Sequence, residues 1–121
     1  MDKWQAQFEF WSSFGVPAYE EHSVPENAPF PRITYEAATS VFESLVSITA
    51  SIWSRSTSWA AVDSLADTIE RYIKDMGCPE IEGGRYRVYI GDTTFAQRMN
   101  DPEDDQIKRI VLNVTFEFMT I

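Results

Sequence analysis

The sequence predicts an α+β domain in which an antiparallel four-stranded β-sheet is packed by an N-terminal helix and one long central helix. Four segments alternate apolar and polar residues with the period of two that is typical of a sheet with one buried face. Two other segments repeat apolar residues every three or four positions, as amphipathic helices do. The link between the first two strands is too short for a parallel crossover, so those strands are expected to pair antiparallel.

A strand, a short polar link and a helix form the clearest unit, between Glu43 and Gly77. The strand is predicted over residues 43–53, with one apolar and one polar face: Val46, Ile48, Ala50 and Ile52 against Ser47, Thr49 and Ser51. The helix is predicted over residues 58–76, because apolar residues recur there along one stripe. Gly77 can adopt the left-handed turn that ends a helix, and Pro79 prevents a restart.

The N-terminal third is predicted to be a helix followed by an arm. In the helix, residues 1–15, the aromatic residues Trp4, Phe8 and Trp11 share one face, while Phe10 lies off that stripe. We expect the stripe to cover the domain's own sheet or, as the alternative, a neighbouring subunit. Residues 18–31 are predicted to be a proline-rich arm, since prolines and acidic residues favour an extended segment.

The remaining chain is predicted to supply three more strands and a long loop. The strands are expected over residues 32–36, 86–90 and 107–118, and the last has the longest alternating run, which favours a central position. Residues 92–105 have no apolar periodicity and are predicted as a loop, a length that is usually functional or disordered. The loop ends in an acidic cluster: Asp101, Glu103, Asp104 and Asp105.

Composition limits the classes of function. The chain has 121 residues, which suits a single domain, and its net charge is −9 from 10 basic and 19 acidic residues. A surface that grips DNA needs an excess of basic residues, so none is expected. The charge either keeps the protein soluble or prevents it from adhering to DNA. No apolar run approaches the roughly 20 residues that span a bilayer, and no signal peptide opens the chain, so we expect a soluble, intracellular protein without a membrane partner.

The sequence contains no pattern that predicts catalysis. There is no glycine-rich phosphate loop, no nucleophile elbow, and no cluster with the spacing of metal ligands. His22 is the only histidine and Cys78 the only cysteine, so neither has a partner for a metal site, a triad or an internal disulfide. We therefore expect no enzyme, no metal and no cofactor. A small-ligand-binding domain is the alternative of a different class, and its raw material is Tyr35, Tyr89, Arg87 and His22.

Three consecutive segments resemble the tail terminator proteins of long-tailed bacteriophages: PENAPFPRITYEAAT, SLVSITASIWSRS and SWAAVDSLADTIERYI. That family typically ends its proline-rich arm in Pro-Tyr-Ile-Thr-Tyr, where this chain has Pro31-Arg32-Ile33-Thr34-Tyr35 and so departs at Arg32. Leu65-Ala66-Asp67-Thr68-Ile69 fits the family's helix motif, and Lys108-Arg109-Ile110-Val111-Leu112-Asn113-Val114 fits its closing strand. The resemblance covers nearly the whole chain in order, as one tail-terminator-like domain.

The resemblance implies a structural virion protein without cofactor or catalysis. Six copies are expected to form a ring that caps the tail tube, stops its polymerisation and joins the tail to the head connector while DNA passes. The implied partners are further copies of the chain, the tail-tube protein and a head-completion or connector protein. The implied location is the head–tail junction of the virion, and the host cytoplasm during assembly. A head-completion (stopper) protein of the same junction is the alternative.

Two sets of residues are candidates for the surfaces of such a ring. The acidic cluster Asp101, Glu103, Asp104 and Asp105 is a candidate for a lumen that repels DNA. A ring built by one repeated head-to-tail contact needs two different complementary patches on each subunit. The arm and the polar face of the sheet are candidates for these patches. The candidate interface residues are Pro25, Pro29, Phe30, Pro31, Phe95 and Met99.

Overall fold

A computed structural model describes residues 1–39, 44–91 and 94–120 of the chain. Its two α-helices are α1 (Lys3–Trp11) and α2 (Ala60–Asp75). The strands in the described residues are β1 (Ala18–Glu20), β2 (Arg32–Tyr35), β3 (Ser44–Arg55), β4 (Glu80–Ile81), β5 (Gly84–Tyr89), β6 (Ala96–Asn100) and β7 (Ile107–Thr120). Two 3₁₀ turns, Ser12–Phe14 and Glu21–Ser23, follow α1 and β1.

The strands form one mixed, curled sheet in the order β1-β2-β3-β7-β5-β4. β3 and β7 are its centre and pair antiparallel along the whole of β3, from Ser44 opposite Phe118 to Arg55 opposite Ile107. β5 and β6 share the other edge of β7, since β5 pairs with its C-terminal half and β6 with its N-terminal half. β1 runs parallel to β2, because residues 21–31 carry the chain back before β2 begins.

The predicted fold class, an antiparallel four-stranded sheet with one long central helix, is wrong. The described residues hold seven strands in a mixed sheet, and the helices are short, at 9 and 16 residues. The four predicted strands correspond to β2, β3, β5 and β7, but β1 lies inside the predicted arm and β6 inside the predicted loop 92–105. β1, β4 and β6 have two to five residues each, too few to show a period, and they are strands because longer neighbours offer them backbone partners.

One face of the sheet, which we call the helix face, carries both helices and the core. α2 buries Val62, Ala66, Ile69 and Ile73 against it. From α1, the Phe10 ring meets the Phe116 ring edge-on at 5.5 Å, and the Trp11 ring stacks on Tyr35 at 6.2 Å. These contacts place both helices on the same side of β3 and β7. Neither of these two helices, in the described part of the chain, is long and apolar enough to cross a membrane.

The aromatic stripe of α1 does not cover the sheet as predicted. Trp11 is buried, but Trp4 and Phe8 are 54% and 48% exposed, whereas Phe10, the residue off the stripe, is 1% exposed. The buried positions 6, 7, 10 and 11 recur as adjacent pairs four residues apart and so define a helix face of their own. Gln7 fixes this orientation, because its buried side-chain amide oxygen accepts the Ala38 backbone N–H at 3.0 Å.

Candidate interaction surfaces

The face of the sheet opposite the helices, which we call the open face, is rich in arginine. Among the described strand residues it carries five arginines and two glutamates, although the chain as a whole has a net charge of −9. These residues are Arg32, Arg55, Arg85, Arg87, Arg109, Glu80 and Glu117. The charges of the chain are therefore segregated, and the arginines gather on the side of the sheet that no helix covers.

Four side chains form a row across this face, which we call the arginine–aromatic row. Strand register places Arg32 of β2 opposite Trp53 of β3, Trp53 opposite Arg109 of β7, and Arg109 opposite Met99 of β6. The guanidinium carbons of Arg109 and Arg32 lie 4.5 Å and 5.9 Å from the centre of the Trp53 ring. Both arginines are thus within the distance at which a cation is attracted to an aromatic face.

Hydrogen bonds hold the row in place. The Trp53 Nε1–H donates to Thr34 Oγ1 at 2.9 Å, and Arg109 Nε donates to Ser51 Oγ at 3.1 Å. These contacts explain why Ser51 and Thr34 are buried although they lie on the open face. Arg32 donates from Nη1 to the Ala28 carbonyl at 3.0 Å, while its buried Nε has no hydrogen-bond partner. The row is therefore a preorganised surface.

The charges of Arg32 and Arg109 are not neutralised within residues 1–39, 44–91 and 94–120, since neither has a carboxylate within ion-pair distance. The other three arginines of the open face are paired: Arg55 with Asp104 at 2.7 Å, Arg85 with Glu80 at 2.8 Å, and Arg87 with Glu117 at 2.6 Å. The row thus holds two cationic groups that no carboxylate of the described residues neutralises.

Two of the six predicted interface residues lie at the ends of this row. Phe30 covers Arg32 at one end, 4.3 Å from the guanidinium carbon, and Met99, 40% exposed, is the other end. Phe95 is half-buried against the core, and its carbonyl accepts the Asn113 N–H at 2.8 Å. The prolines at positions 25, 29 and 31 are exposed in the arm. The sequence does not predict the row itself, because only the strand register brings its members together.

The predicted acidic cluster forms the turn between β6 and β7. The Asp101 carboxylate accepts the Glu103 N–H at 2.9 Å, so it shapes the turn. The pKa of Asp104 lies below its usual value, because its carboxylate accepts the Gln106 N–H and pairs with Arg55. Glu103 and Asp105 are exposed at the tip. Two of the four carboxylates therefore have local structural tasks, and a lumen role for the cluster stays a prediction.

A second apolar surface lies on the outer side of α1, away from the sheet. Met1, Trp4 and Phe8 are 45%, 54% and 48% exposed, and we call them the α1 ridge. With Gln5 and Glu9 they line a groove of about 630 Å³. Asp2 accepts the Gln5 N–H in a capping box and so fixes the start of the helix. Three large apolar side chains exposed side by side are typical of a protein-binding surface.

The structure does not bring together the residues named for a small-ligand site. Tyr35 is buried on the helix face against Trp11, whereas Arg87 and Tyr89 lie on the open face, 4.9 Å from guanidinium carbon to ring centre. His22 contacts Glu20 at the end of β1. In the described part of the chain, no three residues of histidine, cysteine, aspartate and glutamate are grouped to hold a metal ion.

Fold and surfaces together define a small α+β domain with a mixed, curled sheet, helices on one face and an arginine-rich open face. The solved structure of the gp17 protein of bacteriophage SPP1 is similar to this chain, with a TM-score of 0.58 and 17% sequence identity. The match covers 98% of this chain and 88% of the SPP1 protein. At this identity the likeness is one of fold. No protein-family model and no curated protein sequence matches the chain.

Proposed function

We propose that the chain is a structural virion protein of a long-tailed bacteriophage, located at the head–tail junction. It is a subunit of a hexameric ring that caps the tail tube, stops its polymerisation and joins the tail to the head connector. The observation that carries the proposal is the fold likeness to a bacteriophage protein, the SPP1 gp17 protein, over 98% of this chain. The motifs of the arm, the central strand and α2 support it independently, because they resemble tail terminators.

The two separated surfaces favour an assembly over an isolated molecule. A subunit of a closed ring needs two different patches that fit each other. The α1 ridge and the arginine–aromatic row are two such patches: the ridge exposes three large apolar side chains, and the row holds two arginines without a carboxylate partner in the described residues.

The ring is proposed to pass DNA through its lumen without binding it. Glu103 and Asp105 at the tip of the β6–β7 turn are the carboxylates we assign to the lumen. Carboxylates repel the phosphate backbone and offer it no counterion release, so DNA slides past them.

Tube capping tests the proposal. The purified protein is mixed with its tail-tube protein at increasing ratios, and tubes are viewed by negative-stain electron microscopy. We expect six-fold rings with a central hole at tube ends, and tubes that stop growing. Tubes that grow on with bare ends would reject the terminator role, and binding to connector or portal protein instead would identify a head-completion protein.

Charge reversal at the turn tests the lumen assignment. In the variant with Glu103→Lys and Asp105→Lys, rings are expected to retain double-stranded DNA in a gel-shift assay at low salt. The matched control reverses Asp67 and Asp75, which are exposed on α2, and so changes the net charge equally. Equal DNA retention by both variants would show that retention depends only on the net charge of the protein. The turn would then not line the lumen.

A further inference from the structure

We infer that the repeated contact of the assembly is made by the α1 ridge of one subunit docking on the arginine–aromatic row of the next copy. The inference rests on the proposed function, since it names the surfaces that build the ring. The partner that docks on the row is a second copy of this chain. Three properties of the two surfaces argue for that choice: their placement, their charge and their dimensions.

The two surfaces lie on opposite sides of the subunit. The ridge is on the outer side of α1, whose inner side packs on the helix face through Phe10, and the row is on the open face. The ridge and the row of one subunit therefore cannot meet each other. A dimer with a two-fold axis cannot form both ridge-to-row contacts at once, because the two surfaces face in opposite directions. Contact between two copies is therefore heterologous, and it repeats until a rotation closes the ring.

The charges of the two surfaces are complementary. Asp2 and Glu9 are exposed and run beside the ridge, seven residues apart and so on the same side of the helix. On the row, Arg32 and Arg109 have no carboxylate partner in the described chain. An acidic partner supplies the carboxylates that both arginines lack. Asp2 and Glu9 are such carboxylates, and they lie next to the exposed apolar side chains of the ridge.

The dimensions of the two surfaces agree as well. Seven residues of helix separate Asp2 from Glu9, which at 1.5 Å per residue gives about 10 Å. Two strand spacings separate Arg32 from Arg109, which at about 4.8 Å each gives about 10 Å. Trp53 lies between the two arginines. The spacing of the two carboxylates along α1 thus matches the spacing of the two arginines across the strands, so an α1 helix laid across the strands aligns two ion pairs.

Two variants that each break one surface test the contact. The ridge variant carries Trp4→Ala and Phe8→Ala, and the row variant carries Arg109→Glu. Each alone is expected to weaken self-association by about 30-fold or more, the effect typical of residues that dominate an interface. Circular dichroism and a thermal melt establish that both variants fold, since Trp4 and Phe8 are exposed and Arg109 is half-buried.

Mixing the two variants gives the sharpest result. The row variant keeps an intact ridge and the ridge variant an intact row, so an equimolar mixture is expected to form one-to-one dimers that grow no further. Native mass spectrometry, with the protein alone and with tail-tube protein added, measures the species present. No dimer in the mixture, or rings formed by either variant as readily as by the unmodified chain, would overturn the contact.

Matched controls separate this inference from the proposed function. Leu45→Ala removes a side chain that is 59% exposed on the same open face, eight residues along β3 and about 26 Å from Trp53. Arg71→Glu repeats the charge reversal on exposed α2. Both are expected to assemble as the unmodified chain does, and a loss as large as that of the row variant would overturn the assignment. Rings that survive every variant leave the ring function standing, whereas an unmodified chain that forms no ring overturns the function itself.

Discussion

The two faces of strand β7 differ in what each contributes to the protein. Five of its helix-face residues are 0–3% exposed and form the core: Ile110, Leu112, Val114, Phe116 and Phe118. Its open-face residues are half-buried or exposed and mostly polar or charged, from Arg109 to Glu117. Both sets sit on the same backbone, alternating residue by residue. The difference teaches that the helix face stabilises the fold, whereas the open face is available for recognition.

Adjacent residues of β7 provide the strongest test of this division. Phe116 is fully buried and touches the rings of Phe10, Tyr86 and Phe118, so Phe116→Ala is expected to cost about 4 kcal/mol of unfolding free energy. Thr115→Ala on the open face is expected to cost less than about 1 kcal/mol. Urea denaturation measures both, and comparable losses at the two positions would contradict the division.

Helix α1 repeats the comparison on its own two sides. Phe10→Ala removes a buried ring that contacts Trp11, Phe14 and Phe116, with an expected cost of about 3 kcal/mol. Phe8→Ala removes a half-exposed ring and is expected to change stability by no more than about 0.5 kcal/mol. Thermal unfolding of the two variants gives the comparison, and a greater loss at Phe8 would restore the stripe that the sequence predicts.

The arginine–aromatic row contributes a smaller part of the stability. Trp53→Phe keeps an aromatic ring but removes the hydrogen bond to Thr34 Oγ1, at an expected cost of about 1 kcal/mol. The same exchange in a Thr34→Val background is expected to cost less, because that bond is already absent. A double-mutant cycle by urea denaturation measures the coupling, and equal costs in both backgrounds would show that the bond contributes nothing.

The smallest expected effect lies in the arm, outside both faces. The hydrogen bond to Glu20 raises the pKa of His22 above its ordinary 6.5. The contact between protonated His22 and Glu20 therefore stabilises the folded state fully below pH 6.5. This contribution to the free energy of unfolding is lost as the pH rises through the folded-state pKa of His22. A titration followed by NMR is expected to give a midpoint above 6.5, and Glu20→Gln to bring it down toward 6.5. An unchanged midpoint in the variant would exclude Glu20 as the cause.

Long periodic segments made much of the fold predictable. The alternation in residues 43–53 and 107–118 predicts β3 and β7, and the apolar stripe over residues 58–76 predicts α2, because these elements are long enough to show their period. Short elements show no period, so the sequence predicts an arm where β1 lies and a loop where β6 lies. Sheet order and the parallel β1–β2 pair depend on contacts between distant segments, which no local pattern contains.

The candidate interaction surfaces could be predicted only in part, for the same reason. Phe30 and Met99 stand out in sequence as large apolar residues in polar surroundings; in the structure Phe30 covers Arg32 at one end of the row and Met99 is the other end. Trp53 and Arg109 look like ordinary members of alternating strands, and only the register of β3 against β7 makes them neighbours. The exposure of Trp4 and Phe8 was missed because a short helix with aromatics on two sides can bury either one.

Cryo-electron microscopy of tail tubes assembled with this protein tests the central claim most directly. The account predicts a six-fold ring of the chain at the tube end, in which α1 of each subunit lies on the open face of its neighbour and the β6–β7 turn faces the lumen. Tube ends without added density, or a ring whose open sheet faces point to solvent, would contradict it.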